Sequence, residues 1–136
     1  MKIWSVNTNQ KDYGKLGAKI FLEQNRVITW NGNNIEAINK GDLILAFNRN
    51  KSIVAVGYAV SDIFNYKGTP NPPSGSYEQW INVDWIWKDS NLDNPIMLID
   101  IDIDWSPIPT IVNMTKAINL EKLLEEIGKR KYKENK

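Results

Sequence analysis

The chain of 136 residues is long enough for one domain with a substantial core and too short for two ordinary domains. Its 17 basic and 16 acidic residues give a formal net charge of +1, which by itself favours neither a nucleic-acid nor a membrane partner. The sequence contains no cysteine and no histidine, which excludes disulfides, thiolate nucleophiles, cysteine metal sites and the usual general base at neutral pH.

The first part of the sequence predicts two short strands with a helix between them. Residues 2–6 (KIWSV) alternate and are rich in β-forming residues, as in a strand. The apolar spacing over residues 12–25 predicts a helix. Residues 26–30 (RVITW) predict a strand that ends at the turn signal NGNN, so Trp30 is expected at the edge of an element.

A β-hairpin is the clearest prediction from the middle of the sequence. Two runs rich in β-forming residues, at 42–48 and 52–64, are separated by RNK. The prolines and glycines of residues 65–76 (NYKGTPNPPSGS) then predict a long surface loop. Because ordered scaffolds commonly carry binding groups on such loops, we expect functional residues nearby.

The stretch YEQWINVDWIWKD, residues 77–89, holds three tryptophans and alternates as a strand does. Successive side chains of a strand point to opposite faces. One face would carry Ile81, Val83, Trp85 and Trp87, and the other Trp80, Asn82, Asp84 and Ile86. The first set is entirely apolar, so we expect Trp85 and Trp87 to be buried in the core, which leaves Trp80 for another role.

Residues 96–105 (IMLIDIDIDW) alternate from Leu98 onwards and predict a further strand, with one face carrying Asp100, Asp102 and Asp104. Such a carboxylate row can hold magnesium for phosphodiester cleavage, so a metal-dependent nuclease is an alternative function. We prefer to interpret the row as the solvent-exposed face of an antiparallel strand, for which this alternation is typical.

An amphipathic helix is predicted near the end of the sequence. Its apolar face follows the i, i+3, i+4, i+7 spacing of Leu120, Leu123, Leu124 and Ile127. The basic residues 129–136 (KRKYKENK) are predicted to be a disordered tail, which leaves residues 1–128 as one domain. Sequential strands with peripheral helices predict an α+β domain around a curved or barrel-like sheet of five or six strands.

Five aromatic residues lie beside predicted turns and loops. They are Trp30 next to NGNN, Phe64 and Tyr66 at the entrance of the long loop, and Tyr77 and Trp80 at its exit. Each alone is compatible with ordinary packing. Together they form a set that can stack on nucleobases, at about 1–3 kcal/mol per base, or enclose a methylated ligand.

Polar residues near these aromatics can donate or accept hydrogen bonds at a base edge. They are Asn7, Thr8, Asn31 and Asn33. Ordinary turn and capping chemistry is the alternative interpretation of the asparagines.

Several short motifs together resemble the PUA-like superfamily, and its YTH and EVE branches most closely. The motifs are SVNTN at the end of the first strand, VITW before a polar turn, a hairpin that begins with GD (KGDLILAF, then IVAVGYAVSD), a variable loop, and NVDWIWKD. Over roughly residues 1–127, the arrangement is also similar to the EVE-like amino-terminal specificity domains of McrBC-type restriction complexes. The resemblance implies a small β-barrel flanked by helices that takes a flipped or single-stranded modified base, often N6-methyladenine or a modified cytosine, into an aromatic pocket.

The resemblance implies roles for the residues at matching positions. Trp30 matches the first cage tryptophan of the YTH pattern, and Asn31 stands where that pattern commonly has serine. Asn7 and Thr8 match the polar end of the first strand, which contacts the base edge. Trp85 matches a tryptophan that is structural in the family.

The remaining cage walls are implied by the same resemblance. Tyr77 falls where the family places a wall just before the DWI strand, and Phe64 or Tyr66 replaces the remaining tryptophan wall. The sequence departs from the YTH pattern here, because the loop contains no tryptophan before Trp80. The identity of the modification therefore stays open.

From these observations we expect a module without enzymatic activity, cofactor or metal that recognises a modified base in DNA by flipping it into an aromatic pocket. We expect it to be the specificity domain of a restriction or defence system, with a nucleotide-driven motor or nuclease subunit as a further partner. Four lysines are candidates for phosphate contacts: Lys11, Lys15, Lys67 and Lys129. The alternatives are an RNA N6-methyladenine reader, the metal-dependent nuclease and a plain protein-interaction domain.

We expect a cytoplasmic location and no contact with a membrane. The chain starts without an apolar run that resembles a signal peptide. No segment approaches the roughly 20 apolar residues that span a bilayer.

Overall fold

A curled half-barrel sheet is the centre of the computed structural model, which describes residues 1–10, 17–49, 51–67, 75–105, 107 and 110–134. The strands in this part of the chain are β1 (Ile3–Asn7), β2 (Arg26–Trp30), β3 (Leu43–Asn48), β4 (Ser52–Ala59), β5 (Phe64–Tyr66), β6 (Glu78–Lys88), β7 (Ile96–Met97) and β8 (Ile111–Asn113). The helices are α1 (Gly17–Gln24) and α2 (Leu120–Glu134), with single 3-10 turns at Ile35–Ala37 and Leu98–Ile101. The predicted α+β class with a curved sheet is confirmed.

The sheet follows the strand order β2-β6-β4-β3-β1-β8. β1 and β3 are parallel, and the other pairs are antiparallel. The long strand β6 pairs with β2 and β5 along its first half and with β4 along its second half. The predicted strand at 26–30 and the predicted hairpin β3–β4 are confirmed, although β4 ends at Ala59 and the residues that follow lead into β5.

Apolar side chains cover both faces of this sheet. Alternation along β3 shows this directly, because Ile44 belongs to one cluster of buried residues while Leu43 and Leu45 belong to another. The first cluster, called the first core, includes Phe21 of α1. The other, called the second core, includes Leu123 of α2.

A β-bulge between β4 and β6 directs Trp85 and Trp87 to different cores. Val56 pairs with Trp87 and Gly57 pairs with Trp85, so Ile86 is an extra residue that has no paired residue on β4. Val56 and Gly57 point to opposite faces, and their partners therefore do so as well. Trp87 is buried in the second core, whereas Trp85 is half-buried against the first. The prediction that both tryptophans share one face is wrong, because alternation does not reveal an inserted residue.

Side chains of β6 also bind the carboxyl end of α1. The indole Nε1 of Trp85 donates to the carbonyl oxygen of Phe21 at 3.3 Å, and Nζ of Lys88 donates to that of Leu22 at 3.2 Å. Carbonyl groups in the last turn of a helix have no partner within the helix, so these bonds satisfy them. The helix predicted at 12–25 is confirmed over residues 17–24, and its earlier part lies outside the described residues.

The segment 96–105 does not form the predicted strand. Pairing with β4 stops at Met97, and the chain turns into the 3-10 helix Leu98–Ile101. Leu98 and Ile101 are buried three residues apart, as the 3-10 period allows, while Ile99 is exposed. The prediction failed because the same run also places Leu98 and Ile101 three residues apart, which suits a 3-10 turn as well as the alternation suits a strand.

Helix α2 is longer than predicted and has a narrower apolar face. Leu123 and Ile127 are buried, but Leu124 is exposed. The helix continues to Glu134, so the expectation of a disordered tail from residue 129 onwards is wrong up to that point.

Arg130 explains why the helix continues. Its guanidinium donates to Oε2 of Glu126 at 2.7 Å and to the carbonyl of Pro95 at 2.8 Å, and it lies 5.9 Å from the ring centre of Trp87. The hydrogen bond from Arg130 holds the pKa of Glu126 below its ordinary value.

A buried carboxylate, Asp42, joins the beginnings of β1 and β3. It accepts hydrogen bonds from the backbone N–H of Lys2 (3.0 Å) and Asn39 (2.9 Å) and from the indole Nε1 of Trp4 (2.9 Å). Burial acts to raise the pKa of Asp42, but these three donors outweigh that effect and hold the pKa below its ordinary value of 3.8. The GD pair, Gly41 and Asp42, therefore has a structural role at the start of the hairpin.

Two glycine-to-alanine substitutions should have opposite effects on the free energy of unfolding, because only one of these glycines is closely packed. A Cβ at residue 57 would lie 2.3 Å from the carbonyl oxygen of Asp84, so Gly57→Ala should lower the free energy of unfolding by about 3 kcal/mol or more. Gly128 lies in α2 with nothing near its Cβ position, so Gly128→Ala should raise it by about 0.5–1 kcal/mol. Denaturant unfolding of both variants tests this. A well-tolerated Gly57→Ala would show that the strands separate easily.

The lowered pKa of Asp42 predicts how stability depends on pH. The ionised form is favoured in the folded state, so its stabilisation is fully present above pH 3.8 and is lost as the pH falls through the lower folded-state pKa. Asp42→Asn should cost roughly 2 kcal/mol at neutral pH, and its difference from the wild type should shrink in acid. The exposed Asp84→Asn is the control and should stay within about 0.5 kcal/mol throughout. A difference for Asp42→Asn that does not change with pH would contradict the assignment.

Candidate functional site

Four of the predicted aromatic residues lie on the same side of the sheet formed by β2, β6 and β5. Residues paired directly across antiparallel strands share a face. The register gives two neighbouring rows, Trp30–Glu78–Tyr66 and Ile28–Trp80–Phe64. The structure therefore brings Trp30, Phe64, Tyr66 and Trp80 together on one side.

The exposed part of this side is an aromatic stack. Phe64 and Trp80 lie parallel, with ring centres 5.3 Å apart and an interplanar angle of 14°, and Tyr66 meets Trp80 edge-on at 6.3 Å. The guanidinium carbon of Arg26 lies 4.9 Å from the centre of the Trp80 ring. We call the surface of Phe64, Tyr66, Trp80 and Arg26 the aromatic face.

Each face of the Trp80 ring has a neighbouring side chain. β2 and β5 flank β6 on opposite edges, so Arg26 and Phe64 approach Trp80 from opposite directions. Phe64 is 44% exposed and Tyr66 is 48% exposed, whereas Trp80 is half-buried. An incoming ring can therefore contact Phe64 and Tyr66, and Trp80 packs against both of these side chains.

Arg26 is held in position by the end of α1. Both its Nε (2.8 Å) and its Nη2 donate to Oε1 of Gln24, the last residue of the helix. This fork fixes the guanidinium plane over Trp80 and places a permanent positive charge at the border of the aromatic face.

Trp30 lies beside the aromatic face but is buried, with 8% of its surface exposed. The chain after it is fixed to the start of β6, because Asn31 donates its backbone N–H to the carbonyl of Tyr77 at 3.0 Å. Its side-chain Oδ1 accepts the N–H of Tyr77 at 2.9 Å. The predicted Asn31 and Tyr77 thus link β2 to β6.

The polar end of β1 belongs to a separate, buried network. Gln10 donates its amide to the carbonyls of Asn7 (2.9 Å) and Ile28 (2.8 Å), and its Oε1 accepts from Thr29. Asn33 donates to the same Thr29 hydroxyl at 2.8 Å. Asn7 and Asn33 are therefore engaged in turn and network hydrogen bonds, as the alternative interpretation of these asparagines had it.

The buried hydroxyl of Thr8 and the buried Oε1 of Gln79 have no hydrogen-bond partner among the described residues. The amide nitrogen of Gln79 donates to Asn65 at 2.8 Å. Gln79 and Trp80 are consecutive on β6 and point to opposite faces, so Gln79 does not line the aromatic face.

Arg26 and Glu78 are site residues that the sequence did not predict. Arg26 and Glu78 flank the aromatic residues only through the pairing of β2 with β6, which are about fifty positions apart in the chain. The alternation of EQW at 78–80 carried the available signal, since it puts Glu78 on the same face as Trp80.

The predicted phosphate contacts are not gathered at one place. Lys67 is exposed directly after Tyr66, at the border of the aromatic face. Lys129 lies on α2 and pairs with Glu126 at 3.2 Å. Lys11 and Lys15 lie outside the described residues.

The aspartate row is divided among different partners. Asp102 pairs with Lys122 at 2.7 Å, and Asp100 lies 3.8 Å from Arg130. The part of the chain that the structure describes contains no group of three acidic residues placed to hold a metal ion. The geometry therefore gives no support to the nuclease alternative.

The fold and this surface define a small α+β half-barrel domain with an open aromatic sheet face. The chain belongs to the family described as a domain of unknown function, DUF8426, whose model matches residues 4–103. A search of curated proteins finds no match. Among solved structures, the NMR structure of Rpa0253 from Rhodopseudomonas palustris is similar, with a TM-score of 0.41 and 15% identity over 74% of this chain and 70% of that one.

None of the helices in the described ranges is long and apolar enough to cross a bilayer.

The burial of Trp30 predicts a structural cost that the exposed aromatics do not share. Trp30→Ala should lower the free energy of unfolding by about 3–5 kcal/mol, as expected for a core tryptophan. Phe64→Ala should cost only about 0.5–1.5 kcal/mol, the worth of an aromatic contact at a half-exposed site. Denaturant unfolding of the two variants measures both values. Equal, small losses would mean that Trp30 does not contribute to the core.

Proposed function

We propose that this chain is a nucleic-acid-binding module that stacks an unpaired, modified base on the aromatic face. The single observation that carries the proposal is the pair of exposed rings, Phe64 and Tyr66, backed by Trp80 and bordered by Arg26. Exposed aromatics on a sheet surface are a common platform for unpaired bases, at about 1–3 kcal/mol per base. Arg26 and Lys67 supply positive charge for the adjoining phosphates.

The carboxylate of Glu78 would select which bases bind to the aromatic face. The register places its half-buried carboxylate between Trp30 and Tyr66, on the same side as the stack. A carboxylate accepts hydrogen bonds from exocyclic amino groups. N6-methyladenine and modified cytosines keep such an N–H, so the proposed ligands share the donor that Glu78 would accept. A methyl group on the base would add apolar contact with Tyr66.

We further propose the PUA-like fold, a DNA ligand and a role as specificity domain beside a motor or nuclease subunit. The curled sheet and the order of the motifs support the fold assignment, and the other two parts rest on the resemblance stated above. In this arrangement the chain selects the site and carries out no chemistry itself.

Binding to matched oligonucleotides tests the proposal. Fluorescence anisotropy would compare single-stranded DNA carrying one N6-methyladenine, one 5-methylcytosine or no modification, with duplex DNA and RNA versions of each. We expect the modified single strand to bind most tightly. Phe64→Ala or Tyr66→Ala should each weaken it by about 1–3 kcal/mol, roughly fivefold to 150-fold.

Two controls separate stacking from general effects. Tyr58→Ala removes an exposed aromatic residue of β4 outside the aromatic face and should leave affinity unchanged. In single strands with adenine, cytosine or thymine at the test position, Glu78→Gln should reduce the preference for adenine and cytosine over thymine more than it reduces overall affinity. If Phe64→Ala and Tyr66→Ala bind like the wild type, the aromatic face is not the binding surface. If RNA binds more tightly than DNA, the RNA reader replaces the DNA reader.

A further inference from the structure

A second exposed surface surrounds Trp105 and shares no residue with the aromatic face. Trp105 is 46% exposed and forms part of the wall of two neighbouring grooves, of about 560 Å³ and about 440 Å³. Beside it lie Ile99, which is 69% exposed, and Met97, which is 41% exposed. Three large apolar side chains left open together mark an interaction surface more often than a random part of a monomer.

The charges at this surface are unbalanced. Lys2 and Lys116 line the larger groove, and none of the described residues in its wall is acidic. Lys51 lines the smaller groove together with Asp104. Within the described residues, none of the three lysines forms an ion pair. The rim is therefore positive around an apolar floor, which is complementary to a partner with acidic residues around an apolar side chain.

From this geometry we infer that the Trp105 surface binds an acidic peptide segment of a partner protein, with a large apolar side chain of that segment packed against Trp105. Ile99 and Met97 favour a protein over a nucleic acid, because bases stack on aromatic planes and gain little from non-aromatic side chains. The tryptophan is the anchor type that dominates such interfaces.

The larger groove lies outside residues 4–103, the part that the family model matches, whereas most of the smaller groove lies inside that part. The larger groove is lined by Lys2, Trp105, Asn113, Thr115, Lys116 and Ala117. The aromatic face lies entirely inside residues 4–103.

Selection from a phage-displayed library of short random peptides on the immobilised full chain tests the inference. We expect enriched peptides in which aspartate or glutamate flanks an aromatic or aliphatic residue. In fluorescence anisotropy with a labelled selected peptide, Trp105→Ala should weaken binding by about tenfold or more, since a central tryptophan contact is lost. The double variant Lys2→Glu, Lys116→Glu should weaken it similarly, and Tyr58→Ala should not.

Several results would overturn the inference. They are selection without an acidic consensus, full binding by Trp105→Ala, and displacement of the peptide by single-stranded DNA, which would assign the surface to nucleic acid. The charge-reversal variant carries the test if Trp105→Ala does not fold, because Lys2 and Lys116 are exposed and make no ion pair within the described residues. Its unchanged affinity would also contradict the inference.

Discussion

The close approach of β4 and β6 at Gly57 is the constraint on which both cores depend. The carbonyl of Asp84 occupies the space that a Cβ would need, so the strands pair there only through glycine. The extra residue Ile86 follows immediately and turns Trp85 towards α1 and Trp87 towards α2. A single strand thereby anchors one helix on each face of the sheet, and the half-barrel needs no separate element to connect them.

The alternation of β6 separates two kinds of group that the sequence places side by side. Glu78 and Trp80 lie on the side of the aromatic face, whereas Gln79 is directed towards the polar network of Thr29 and Gln10. A base lying on the aromatic face would meet Glu78 and Arg26 instead of the end of β1. The proposed mode of binding is thus closer to an open stacking platform than to the enclosed cage that the resemblance implied.

Local patterns predicted β2, the β3–β4 hairpin and the core of α2, because the composition and the apolar spacing of each segment define these elements. The bulge at Ile86 could not be predicted, because an extra residue is defined only against its partner strand. The loop-flanking positions of Phe64, Tyr66 and Trp80 correctly indicated that they meet. Their contact with Arg26 depends on long-range register, which no local pattern contains.

The carboxylate of Asp42 has a consequence for how the chain avoids wrong alignments. β1 and β3 are buried on both faces, so a shift of one strand along the other by two residues would still match apolar side chains with apolar side chains. Only one alignment presents both the N–H of Lys2 and the indole of Trp4 to Asp42. Any shifted pairing would leave the buried charge with only the local N–H of Asn39 as a donor, at a cost of several kcal/mol. The buried charge therefore helps to set the register of β1 and β3, because it destabilises misaligned pairings more strongly than it stabilises the aligned pair.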